Sequence, residues 1–89
     1  DCLTLYLSNL MHQGLRQGAI IKRIKDAAGY IKTMEEAVIV ISNEVGLGIV
    51  PENRLAREFR DISGLVNQAM AKAADEVVFI QAGIAVKLK

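Results

Sequence analysis

Asn43 and Glu44 are the first side chains able to do chemistry after the apolar run Ala-Val-Ile-Val-Ile at 37–41 and Ser42. An amide beside a carboxylate can orient a water, an aqua ligand of a metal or a ribose hydroxyl. Gly46 and Gly48 follow, and glycine lets backbone approach a ligand closely or take up a positive φ. The plainer alternative is an ordinary strand exit, with Asn43 capping the turn and Glu44 in water. The pattern alone leaves both open.

A second group follows the only proline, Pro51. Arg54, Arg57 and Arg60 step by three, so on a helix they lie along one side and could grip phosphates with forked contacts. Glu52, Glu58 and Asp61 supply the competing reading, a solvated face of ion pairs, and by spacing alone that is the better of the two. A nucleic-acid surface fits less well still. The basic residues, Lys72 included, are diluted by acids and no aromatic residues accompany them.

Elsewhere the signals are weak. His12 has no second His or Cys at metal-ligand spacing, so it reads as a surface histidine near a helix end. Cys2 stands alone with no identifiable base, which argues against a nucleophile and excludes an internal disulfide. Neither a Gly-x-x-x-x-Gly-Lys-Ser/Thr loop nor a Gly-x-Gly-x-x-Gly fingerprint occurs; "GLGIVPENR" has Gly-x-Gly and nothing further.

The elements that must position these residues are readable from periodicity. Leu3, Leu7, Leu10 and Met11 predict a first helix stopped at Gly14, although Leu3, Leu5 and Leu7 also fit strand alternation. A connection over 13–18 leads to a second amphipathic helix with Ile20, Ile24, Ala27 or Ala28, and Ile31 on one stripe. The β-branched run at 37–42 lacks alternation, which predicts a strand buried on both faces. Leu55, Phe59, Ile62, Val66, Met70 and Ala73 predict a long helix from about 52 to about 74, with Pro51 at its front. Gly64 within it would be explained by the close approach of a neighbouring backbone. "EVVFIQ" reads as another buried strand. A short Ala-Gly turn then joins it to "IAVKLK", an alternating edge strand guarded by lysines that must pair antiparallel. The expected order is helix, helix, strand, helix, strand, strand: an α/β layered domain with one strand–helix–strand crossover.

At 89 residues the chain suits a single domain spanning 1–89. Its composition is 52% hydrophobic but only 4% aromatic, and a domain this small leaves much of its surface wet. The aliphatic excess therefore points to surface meant for another polypeptide, either the rest of a longer protein or another subunit. The net charge of +1 favours no particular partner. No apolar run approaches the ~20 residues that span a membrane, and the single cysteine favours a reducing cytoplasm. "DCLTLYLSNL" has neither an initiator Met nor the basic start of a signal peptide, and reads as a chain entered part-way.

"DCLTLYLSNL" and "VIVISNEVGLGIVPENRLAREFRDISGLVNQAMAKAADEVVFIQAGIAVKLK" closely resemble the C-terminal half of the bifunctional adenosylcobinamide kinase/adenosylcobinamide-phosphate guanylyltransferase family. Only the stretch from about 12 to 37 is nondescript. The resemblance implies part of a P-loop NTPase domain, RecA-like, with a mainly parallel sheet, helices on the sheet and a C-terminal antiparallel edge strand. It implies homo-oligomers, as trimers. The implied chemistry is phosphorylation of adenosylcobinamide with ATP or GTP, then GMP transfer from GTP through a guanylylated histidine, with Mg2+ on the phosphates. The product feeds cobalamin synthesis.

The resemblance also implies site residues. Asp1 matches an acidic position that helps hold magnesium, and Thr4 lies at a nearby nucleotide contact. Asn43 and Glu44 would orient water and the attacking hydroxyl, with Asn53, Arg54 and Arg57 steadying phosphate or substrate. The phosphate loop and the guanylylated histidine are not in this sequence, and His12 lies in the wrong segment to inherit that role. The first expectation is thus an enzyme half, inactive alone. The second is a non-catalytic oligomerisation or binding remnant of the same fold, and adding the missing half should restore activity only under the first.

Overall fold

The computed structural model describes residues 2–89. Three helices pack around one small core: α1 (Leu3–His12), α2 (Gln17–Lys32) and α3 (Arg54–Ala73), followed by strands β1 (Val78–Gln81) and β2 (Ile84–Lys87). A single 3-10 turn (Val45–Leu47) interrupts the long connection between α2 and α3.

The helices form where the apolar period places them. Leu3, Leu7 and Leu10 of α1, Ile20 and Ile24 of α2, and Ile62 and Val66 of α3 meet in one buried cluster. Met11, Leu15, Ile21, Phe59, Ala69 and Met70 pack against its margin. Ala28, not Ala27, takes the buried place on α2. Gly14 ends α1 with φ at +86°, a conformation a side chain resists. Its N–H bonds the Met11 carbonyl at 3.0 Å, and the Leu15 N–H reaches the Leu10 carbonyl at 3.2 Å. Those two bonds form a Schellman stop, and Leu15 returns to the core beside Leu10. Gly18, expected in the connection, instead lies in the first turn of α2.

α3 starts two residues later than the pattern suggested. Asn53 is its N-cap, with Oδ1 accepting from the N–H groups of Leu55 (2.8 Å) and Ala56 (3.3 Å). Pro51 therefore sits ahead of the helix. No backbone approaches Gly64, so the close contact expected there is absent among the described residues. At the far end, Lys89 Nζ donates to the carbonyls of Ala71 (3.0 Å) and Lys72 (3.1 Å), closing the last turn with a cation where one is favoured.

The strands depart most from expectation. Residues 37–42 pair with no strand among those described; Ile39 is 87% exposed, and Val38, Val40 and Ile41 are exposed too. Among the described residues no neighbouring strand pairs with it and its apolar side chains stay largely exposed, so the expected doubly buried strand does not form. The sheet is one antiparallel pair, β1 with β2, in the register Val78↔Lys87 to Gln81↔Ile84. No parallel pairing occurs among the described residues. The hairpin is as expected, its two-residue turn made by Ala82 (φ +52°) and Gly83 (φ +74°). Yet neither strand is buried: Val78, Ile80, Ile84 and Val86 are exposed. The described architecture is a small α/β unit of three helices with an antiparallel hairpin. No helix among the described residues is long and apolar enough to cross a membrane.

Candidate functional site

Two segments far apart in sequence meet at the start of α1. The Leu3 N–H donates to the Ile41 carbonyl at 2.7 Å, laying the end of the apolar run against the first turn of the helix. Thr4, in that turn, then becomes the hub. Its Oγ1 accepts from the main-chain N–H of Asn43 at 3.2 Å and from Asn43 Nδ2 at 3.1 Å. Asn43 Nδ2 also lies 3.7 Å from Cys2 Sγ. Thr4 and Asn43 are thus joined by two hydrogen bonds.

α3 closes the same point from the other side. The amide of Asn67 works at both ends: Oδ1 accepts from Ser42 Oγ at 2.6 Å, and Nδ2 donates to the Asn43 carbonyl at 3.0 Å. Sequence reasoning named neither Ser42 nor Asn67 as a site residue. Asn67 lies in the family-like run ending in "NQ", which was the only available signal. The thiol of Cys2, at the N-terminal end of α1, is held below its ordinary pKa. The main cause is hydrogen bonding from the Leu5 backbone; desolvation opposes it, and the Thr4 hydroxyl and amide add to it.

Arg57 and Arg60 turn to backbone carbonyls and not to acidic side chains. Arg57 Nη1 donates to the carbonyls of Pro51 (3.1 Å) and Glu52, and Arg60 Nη2 donates to the Gly46 carbonyl. Arg60 Nη1 is buried with no acceptor among the described residues. The ion pairs among the described residues are Lys22–Asp26, Lys32–Asp75 and Lys87–Glu76, so Glu58 and Asp61 do not neutralise the arginines. A guanidinium fork matches carbonyl oxygens as well as carboxylates, and the loop passing over α3 presents bare carbonyls. Arg54 opens α3 and makes no side-chain hydrogen bond among the described residues. Asn53 is committed to capping. Glu44 precedes the 3-10 turn, exposed, with its Oε1 close above Gly46.

The metal position proposed for Asp1 lies outside the described residues. Among those described, no three His, Cys, Asp or Glu side chains converge on a metal-sized site. His12 is exposed in the last turn of α1, away from this network.

Fold and site together define a class: an α/β unit that gathers hydroxyl, amide and carboxylate groups where an apolar β-branched run ends, and leaves that run open at its flanks. The chain belongs to the cobinamide kinase/cobinamide phosphate guanyltransferase family, whose model matches residues 1–88. It is 65% identical to the bifunctional adenosylcobalamin biosynthesis protein CobU of Salmonella typhimurium, over all of this chain and 56% of that relative. It is 40% identical to the Escherichia coli protein of the same name, again over 56% of it. With the corresponding protein CobP of Pseudomonas aeruginosa it shares 36% identity over 51% of that relative. The chain thus spans about half the length of the curated relatives it matches.

Proposed function

We propose that this chain is the carboxyl-terminal portion, 1–89, of an enzyme that phosphorylates adenosylcobinamide with ATP or GTP and then transfers GMP from GTP to the phosphate. The supporting observation is the joining of Thr4 and Asn43 by two hydrogen bonds, with Glu44 as the next residue, at the end of the apolar run. Membership in the family supplies the substrate class.

In this reading residues 37–42 are a central strand of a mainly parallel, RecA-like P-loop sheet, and the remaining portion of the family's length brings its neighbouring strands. The exposed β-branched run supports that, because a bare strand of this composition is normally covered on both faces. Thr4 locks the Asn43 amide through Nδ2, which leaves Oδ1 to accept from a ribose or substrate hydroxyl. Glu44 presents a carboxylate next to it for an attacking hydroxyl or its water. In phosphoryl transfer the protein mainly positions groups and supplies charge, so a fixed amide beside a carboxylate suits the task. Arg54 is the cation open to phosphate oxygens. Arg57 and Asn53 shape the loop that would lie over the substrate. Asp1 is the magnesium ligand by resemblance alone, and no step is derived through the ion. The assembled enzyme is a cytoplasmic homo-oligomer, a trimer by the same resemblance.

The experiment is complementation. With labelled GTP, the 89-residue chain alone should show neither cobinamide phosphorylation nor GMP transfer. Mixing it with the amino-terminal portion of the Salmonella relative should restore both. A mixture that associates yet stays inactive would favour the second reading, a binding or oligomerisation module. Its support is the apolar surface left exposed on residues 38–41 and the hairpin.

A further inference from the structure

Arg60 and Asn67 sit seven residues apart on α3, two turns along one face. One holds the Gly46 carbonyl and the other the Asn43 carbonyl, so the helix and the segment 43–46 run past each other in opposite senses. Seven helical residues rise about 10.5 Å, and the two donors hold the two ends of a segment that enters the 3-10 turn at Val45. Ser42 adds a third tie by donating to Asn67.

We propose that Arg60 and Asn67 form a helix-borne clamp that sets the register of residues 42–46, and hence are positioning residues for Asn43 and Glu44. Asn67 is suited to this because one planar amide both accepts and donates. A carboxylate in its place keeps the acceptor for Ser42 and loses the donor to Asn43. Arg60 holds the other end, beyond Glu44, so the carboxylate lies between two fixed points. The consequence for turnover rests on the function proposed above; the consequence for the segment's geometry does not.

The test uses amide hydrogen exchange in the 89-residue chain, followed by NMR. Asn67→Asp should speed exchange at the Asn43 N–H by about tenfold or more, and Arg60→Gln should do the same at Gly48, while Leu10 and Ile24 stay protected. Unchanged rates at Asn43 and Gly48, or equal acceleration in the helices, would overturn the clamp. If Asn67→Asp does not fold, Ser42→Ala, which removes one tie only, is read in the same way. In the complemented enzyme, Asn67→Asp should lower kcat with KM for GTP changed less than about threefold. A loss confined to KM would make Asn67 a direct binding residue and refute the positioning role. Wild-type mixtures without turnover would count against the proposed function, and the exchange rates alone would then decide the clamp.

Discussion

The three-helix core and the connection from 37 to 52 are built on opposite plans. In the core, Leu7, Leu10, Ile20, Ile24, Ile62 and Val66 are each at most 1% exposed. In the connection, Ile39 is 87% exposed and Ile49 96%, and the chain is held by hydrogen bonds to Thr4 and from Arg57, Arg60 and Asn67. One region satisfies its apolar side chains within itself. The other satisfies its backbone and leaves its apolar side chains to something else. Polar ties of that kind contribute about 1 kcal/mol each, so they fix geometry without replacing a core.

The sharpest test of that contrast pairs two like substitutions. Ile24→Ala should cost about 2–5 kcal/mol, because it opens a cavity in a packed site. Ile39→Ala should change stability by no more than about 0.5 kcal/mol in the isolated chain. Urea titration followed by circular dichroism measures both, and equal losses would erase the distinction between the regions. Asn53→Ala comes next: it removes the cap where connection meets core and should cost about 1 kcal/mol. No loss in the same titration would mean that α3 starts without help from the loop. Ala82→Asn should act in the other direction, stabilising the hairpin by up to about 1 kcal/mol, since Ala82 bears a left-handed φ that asparagine tolerates better.

The smallest effect concerns Cys2, where helix and connection touch. Its lowered pKa means more thiolate at a given pH than in the unfolded chain, so alkylation by iodoacetamide should rise at lower pH in the native protein than in denaturant. By linkage, the associated stabilisation is present above the unfolded pKa and is lost as pH falls through the folded one. Superimposed native and denatured profiles would show that the contacts of Leu5, Thr4 and Asn43 with the thiol do not persist in solution.

Much of the helical layer was legible in the residues. Leu3, Leu7 and Leu10, then Ile20 and Ile24, then Ile62 and Val66 repeat with the helical period, and all are buried. The stop at Gly14 and the two-residue turn before Ile84 were readable because turn geometry depends on neighbouring residues alone. The strand at 37–42 misled for a physical reason. A continuous β-branched run reports what the segment needs, cover on both faces, and says nothing of whether the cover is present. Of the hydrogen-bonded cluster, Asn43 and Glu44 stood out by their place after the apolar run and Thr4 by resemblance, whereas Asn67 was not singled out. One amide on a helix looks like any other until its partners are known.

The sequence alone determined the helices, the hairpin and the family, because periodicity, turns and motif residues are properties of short stretches of chain. Only the tertiary structure decided that Arg57 and Arg60 hold carbonyls and not acids, that Asn43 rests on Thr4, and that Ile39 faces solvent. Those outcomes depend on which segments meet across separations of 14 and 39 residues. Such meetings are set by the packing of whole helices, which no local pattern encodes.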